Sequence, residues 1–145
     1  MNKIKTSCAL AIITLSLTTY ASDNRCFEQA QTQTQINACA ASDFKAADSD
    51  LNNIYHQMMN RIGNDQSTKN LLIAAQRKWV EFRDAECKFS TVRTADGSIN
   101  SMRLNSCLAD VTRSRISEFQ DHLACGKNSD EQEAIQCAIP PAQRR

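Results

Sequence analysis

The sequence predicts an all-α protein, a small antiparallel bundle of three to four helices stapled by disulfides. Turns are scarce, because the 145 residues include only three glycines and two prolines, and many tight β-hairpins are therefore disfavoured. Apolar residues recur three and four positions apart over long stretches without a breaker. Seven cysteines in so short a chain indicate disulfides in an exported protein.

Residues 1–21 have the pattern of a secretory signal peptide. Lys3 and Lys5 precede an apolar run from Cys8 to Leu17, and small and polar residues follow. The run is shorter than the roughly 20 residues that a membrane-spanning helix needs. Cys8 lies at its start, whereas a lipid-modified cysteine would lie at its end. We expect cleavage after Ala21, a periplasmic or secreted protein, and no membrane anchor.

The expected mature chain is almost neutral. Loss of Lys3 and Lys5 leaves 15 basic side chains against 16 acidic ones, a formal charge of −1. Nucleic-acid binding depends on a basic surface that displaces counterions from phosphates. A nucleic-acid partner is therefore not expected.

The first half of the mature chain predicts one long amphipathic helix over residues 42–61, preceded by a shorter helix. No glycine or proline occurs from Asp23 to Ile62, and Gly63 then ends the helix, because glycine accepts the left-handed conformation. The apolar positions that carry the helical spacing are Phe44, Ala47, Leu51, Ile54, Tyr55, Met58 and Ile62.

The second half predicts a helical hairpin around Gly97. Asp65 or Ser67 caps its first helix, whose apolar stripe includes Trp79, Phe82 and Phe89. Since this stripe coincides with leucine positions, we expect these three aromatic side chains to be core residues rather than a binding platform. A last helix follows from Met102 to Leu123, and a short helical turn is expected within residues 128–137, before Pro140 and Pro141.

Six cysteines remain in the mature chain, an even number that predicts disulfides: Cys26, Cys39, Cys87, Cys107, Cys125 and Cys137. An antiparallel hairpin favours Cys87–Cys107. Two local loops of similar length favour Cys26–Cys39 and Cys125–Cys137, although a pairing that crosses the first and last loops and ties the chain ends together stays open. Neither a metal site nor a cofactor is expected, because Cys-x-x-Cys is absent and His56 and His122 lack nearby ligands.

A longer pattern of residues resembles a known family. It comprises Cys39-Ala40, Asp48-x-x-Leu51-Asn52-x-x-Tyr55, Leu72-x-x-x-Gln76-x-x-Trp79-x-x-x-Arg83-Asp84-x-x-Cys87, Gly97-Ser98, Met102, Cys107 and Thr112-x-x-Arg115. This pattern is similar to the LprI-type lysozyme-inhibitor domain of exported bacterial proteins. The resemblance implies an all-helical domain, over residues 22–124, that inhibits a lysozyme-type muramidase. Residues 125–145 are then a C-terminal extension with a disulfide loop.

The shared polar residues predict a structural network rather than a catalytic site; its members are Asp48, Asn52, Gln76, Arg83 and Arg115. A half-buried Asp48–Arg83 pair would fix the register of two helices through charge-assisted hydrogen bonds. The carboxylates of Asp84 and Glu86 are two positions apart and point in different directions on a helix, which makes them a poor acid–base pair. No Gly-x-Ser-x-Gly motif or glycine-rich phosphate loop occurs. We therefore expect no catalytic residues.

The loop over residues 90–101 supplies the candidates for partner binding: Arg93, Asp96, Ser98 and, just beyond the loop, Arg103. A Cys87–Cys107 disulfide would hold this loop rigid, and a rigid loop loses less entropy on binding. Its basic side chains suit a muramidase cleft lined by carboxylates. The alternative is that the loop is only a hairpin turn.

The sequence thus predicts an exported protein that binds and inhibits a lysozyme-type muramidase. A periplasmic binding or immunity protein against another envelope toxin or hydrolase is the alternative, and a hydrolase in its own right is a third. Because an acidic face would suit a cationic lysozyme better, the near-neutral charge gives the first prediction little support.

Overall fold

A computed structural model describes residues 24–125 and 134–140, and four α-helices account for most of them. Helix α1 spans Asn24–Gln29, α2 spans Gln33–Ile62, α3 spans Gln66–Ser90 and α4 spans Asn100–Ala124, with a 3₁₀ helix over Val92–Thr94 between α3 and α4. The described residues contain no strand. The prediction of a small all-α bundle is confirmed, and the predicted signal peptide lies outside the described residues.

Helix α2 is longer than predicted, since it begins at Gln33 rather than near Ser42. Its start is a capping box. The Gln35 backbone N–H donates to the Thr32 hydroxyl (3.3 Å) while the Thr32 N–H donates to the Gln35 side-chain oxygen (3.0 Å). No breaker follows until Gly63, which ends the helix with a φ of 68°. The shorter helix expected before the long one is α1, which ends at Gln29, and the long helix simply starts earlier than predicted.

Asp65 caps the start of helix α3: its carboxylate accepts hydrogen bonds from the Thr68 hydroxyl (2.6 Å) and the Thr68 backbone N–H (3.0 Å). These bonds, that from the hydroxyl above all, lower the pKa of the Asp65 carboxyl below its ordinary value of 3.8. The helix ends at Thr91, whose backbone N–H and hydroxyl both donate to the Cys87 carbonyl. Both ends of α3 are thus closed by side-chain oxygens.

The three long helices run up, down and up. Asn37 contacts Met102 and Tyr55 contacts Phe119, so α2 and α4 run parallel with a constant offset. Helix α3 runs in the opposite direction beside them. The apolar core is formed by α2, α4 and one residue of the C-terminal segment: Leu51, Ile54, Met58, Ile62, Ile116, Phe119, Leu123 and Ile139.

Helix α3 adds little to this core. Its buried residues are Arg83 and Cys87, and its Leu72 and Trp79 pack against the core from a partly buried position. The prediction that Phe82 and Phe89 are core residues is wrong, because their side chains are 57% and 75% exposed. The reason is the direction in which these side chains leave the helix axis. Phe82 precedes Arg83 by one position and so points about 100° away from it around the helix.

Three disulfides join the elements: Cys26–Cys39, Cys87–Cys107 and Cys125–Cys137, with Cα–Cα distances of 5.7, 5.6 and 5.7 Å. They are the pairs favoured from the sequence, and they exclude the crossed pairing of the chain ends. The first ties α1 to α2, the second ties α3 to α4, and the third attaches residues 134–140 to the end of α4. In the predicted turn over residues 128–137, residues 128–133 lie outside the described part.

Candidate functional site

Arg83 lies where the three long helices meet. Its Nη1 donates to Asp48 Oδ1 of α2 (3.1 Å) and to Thr112 Oγ1 of α4 (3.4 Å), and its Nε donates to Asp84 Oδ1 (2.9 Å). The side chain is only 8% exposed, whereas both carboxylates are nearly half exposed. One buried guanidinium therefore joins α2, α3 and α4, with its charge balanced by two carboxylates that remain in contact with water.

Arginines alternate with aromatic rings around the same point. The Arg83 guanidinium lies 5.1 Å from the Phe44 ring centroid and 5.3 Å from that of Trp79. The Arg115 guanidinium lies 5.7 Å from the Trp79 ring and 4.5 Å from the Phe119 ring. We call these five residues the arginine–aromatic stack. Planar guanidinium groups bind aromatic faces in this way, so the stack attaches α3 to α2 and α4 where leucines would be expected.

The remaining predicted network residues adjoin the stack. Asn52 Nδ2 donates to Asp48 Oδ2 (3.4 Å), and Arg115 donates to Gln76 Oε1 (3.4 Å) and to Glu118 Oε2 (2.6 Å). The structure thus brings the five predicted residues together in two groups. Asp48, Asn52 and Arg83 form one group, Gln76 and Arg115 form the other, and Trp79 lies between the two arginines.

Sequence reasoning missed the parts that Phe44 and Thr112 play in this network. A signal existed for both: Phe44 lies four positions before Asp48, and Thr112 lies three positions before Arg115, on the same helix faces.

This network is suited to holding helices together. Both cations are planar guanidinium groups, which donate several hydrogen bonds and pack flat against aromatic rings. No cluster of three or more His, Cys, Asp or Glu side chains that could hold a metal ion occurs in the described residues.

The candidate residues for partner binding lie at the far end of the α3–α4 hairpin. We define the hairpin tip as residues 91–99. Arg93, Asp96 and Ser98 are exposed on it, and Arg103 is exposed in the first turn of α4. Arg103 also lines a cleft of about 300 Å³ beside the Cys87–Cys107 disulfide.

Two apolar side chains accompany these polar ones on the tip. Val92 is 62% exposed and Ile99 is 37% exposed. Sequence reasoning did not single out either residue. The tip thus presents apolar and charged groups together, as protein-binding loops do.

Asn37 of α2 holds the tip from behind. Its Nδ2 donates to the Ser98 carbonyl (3.0 Å), and its Oδ1 accepts from the Met102 backbone N–H (3.1 Å). Ile99, which precedes α4, has no capping side chain of its own, so Asn37 supplies the acceptor that the first turn of α4 needs. No local sequence signal marks this role, because Asn37 is separated from Ser98 by 61 positions and from Met102 by 65.

The fold and the tip define a small disulfide-bonded helical domain that presents a loop held by the Cys87–Cys107 disulfide and by Asn37. The chain belongs to a family described as lysozyme inhibitor LprI, whose model matches residues 26–119. An uncharacterized protein of Rhizobium meliloti (strain 1021) is 31% identical over 111 residues, which cover 69% of this chain and 80% of that protein. No solved structure matches the chain.

Family membership and three disulfides together suggest a location outside the cytoplasm. Among the residues that the structure describes, no helix is both long and apolar enough to cross a membrane.

Proposed function

We propose that the chain binds a lysozyme-type muramidase in the periplasm or outside the cell and inhibits it by placing the hairpin tip in the substrate cleft. Family membership supports the activity. The geometry of the tip supports the contact site, because Arg93 is exposed at the end of a hairpin that is fixed on two sides.

Rigidity is the first argument for the tip. The Cys87–Cys107 disulfide ties the two helices together below it, and the two Asn37 bonds join it to α2. Thr94 adds a bond from its hydroxyl to the Thr91 carbonyl (2.9 Å). A loop that is already ordered loses little conformational entropy when it binds, so more of the contact energy contributes to affinity.

Chemical complementarity is the second argument. Muramidases cleave glycosidic bonds with a pair of carboxyl groups at the base of a cleft. Arg93 makes no ion pair with any described residue, so its guanidinium is available to a carboxylate. Val92 and Ile99 are exposed on the same short loop and can cover apolar parts of the cleft wall, which excludes water from the ion pair.

The test is inhibition of a muramidase by the purified mature chain and by two variants. We expect Arg93→Glu to weaken inhibition at least about tenfold, because it sets an acidic group against the cleft carboxylates and such a repulsion costs several kcal/mol. Arg77→Glu is the matched control, because Arg77 is exposed on α3 outside the tip. Equal inhibition by both variants would place the binding surface elsewhere, and no inhibition by the unaltered chain would refute the proposed activity.

A further inference from the structure

Helix α3 carries an exposed stripe that the fold does not use. We define the α3 stripe as six exposed residues spaced three or four apart: Leu71, Ala75, Lys78, Phe82, Glu86 and Phe89. Such spacing places them on one side of the helix. Leu71 is 69% exposed, and Phe82 and Phe89 are more than half exposed. Three large apolar side chains aligned over about 27 Å of helix mark a surface for another protein.

The stripe is complementary to itself. Lys78 lies four positions before Phe82 and Glu86 lies four positions after it, with opposite charges. Ala75 and Phe89 lie seven positions before and after, a small side chain and a large one. A two-fold axis through Phe82 therefore places Lys78 opposite the Glu86 of a second copy, and Ala75 opposite its Phe89.

We propose that two copies of the chain associate through antiparallel α3 helices, with the two-fold axis at Phe82. The two Phe82 rings meet at the centre, two Lys78–Glu86 ion pairs flank them, and each Phe89 packs over the Ala75 of the other copy. The area is modest. An interface along one helix lies near the lower limit of specific contacts, about 1,200 Å² in total, so the dimer dissociates on dilution.

Lys78 and Glu86 can form these pairs at little cost. Lys78 contacts Glu81 within its own helix (2.8 Å), but both side chains are mostly exposed, and such a pair contributes little stability. Glu86 makes no ion pair with any described residue. Forming the Lys78–Glu86 pairs across the two-fold axis therefore costs almost no stability within the single chain.

The arrangement leaves both hairpin tips at opposite ends of the dimer. Arg93 follows Phe82 by eleven positions, which is about 16 Å along the helix direction. The dimer would thus carry two separate tips, and its formation does not depend on what the tips bind.

The test is the molecular mass of the mature chain, measured by sedimentation equilibrium over a concentration series. We expect the mass to rise from one chain to two. K78E and E86K each set like charges opposite each other at two places, so each variant should raise the dissociation constant at least about tenfold. The double variant K78E/E86K restores both pairs with their signs exchanged and should return the constant to near its original value. K88E, at an exposed position on another side of α3, is the control and should change nothing.

Three results would overturn the dimer. One is a single-chain mass at every concentration. Another is a double variant that dimerises no better than the two single variants. The third is an unchanged mass for F82E together with weaker muramidase inhibition, which would assign the stripe to the enzyme partner. Because these positions are exposed, each variant should have the melting temperature of the unaltered chain. Thermal unfolding therefore serves as the check that the fold is intact.

Discussion

Arg83 of α3 donates a hydrogen bond of 3.1 Å to Asp48 of α2 from a side chain that is almost wholly buried. The same guanidinium lies between the rings of Phe44 and Trp79 and reaches Thr112 of α4. A single charged residue therefore occupies the junction of three helices, where its planar shape and its hydrogen-bond donors are both used.

Replacing Arg83 with alanine should lower the stability of the domain. Loss of one member of a buried ion pair costs about 3–5 kcal/mol, and because Asp48 retains access to water we expect a smaller loss, about 2–3 kcal/mol. Thermal unfolding under non-reducing conditions should then show a melting temperature lower by about 5–10 °C.

Arg83→Lys is the informative control for that experiment. It keeps a positive charge near Asp48 but loses the planar group that binds the two rings. Its melting temperature should therefore lie between that of the unaltered chain and that of Arg83→Ala. An unchanged melting temperature with lost inhibition in Arg83→Ala would instead assign Arg83 to the binding surface.

Replacing Asn37 with alanine should loosen the hairpin tip with a small effect on global stability. The change removes the bonds to the Ser98 carbonyl and the Met102 N–H, and since neither bond is fully buried each contributes about 0.5 kcal/mol. Hydrogen exchange should become faster for the amides of residues 98–102, while the melting temperature falls by only a few degrees. Unaltered exchange at Met102 would show that the tip is ordered without Asn37.

The Asp65 cap should make part of the stability depend on acid pH. Hydrogen bonds from Thr68 lower the pKa of the folded carboxyl below 3.8, so its contribution is fully present above that value. It is lost as the pH falls through the lower folded value. Asp65→Ala should therefore be less stable than the unaltered chain at neutral pH, and the difference should shrink in strong acid. A difference that stays constant with pH would mean that the charge of Asp65 is not what stabilises the helix.

The sequence was enough to predict the helices, their order and the disulfides, because these depend on local periodicity, breakers and short loops. Gly63 and Gly97 mark the turns as expected. The start of α2 is also a local matter, because Thr32 and Gln35 form a capping box three residues apart.

The wrong prediction for Phe82 and Phe89 has a different cause. Apolar residues at helical spacing show that a face exists, but they do not show which of two adjacent faces meets the core. In α3 the inward face is the one with Gln76, Trp79 and Arg83, whose polar groups conceal its burial. Hydrophobicity alone therefore favours the face with Phe82 and Phe89, which is exposed.

The hydrogen bonds by which Asn37 holds the hairpin tip could not be predicted from the sequence. Asn37 contacts residues more than 60 positions away, and its role depends on the offset between two parallel helices. That offset emerges from packing along their whole length.

The limited contribution of α3 to the apolar core has a practical consequence for protein engineering. Only two of its 25 residues are buried, and Leu72, Gln76 and Trp79 make its partly buried contacts, so the exposed positions of α3 can be diversified without rebuilding the interior. A combinatorial library that varies these exposed positions, with the five inward residues Leu72, Gln76, Trp79, Arg83 and Cys87 kept, would retain the architecture and present a new binding surface along α3.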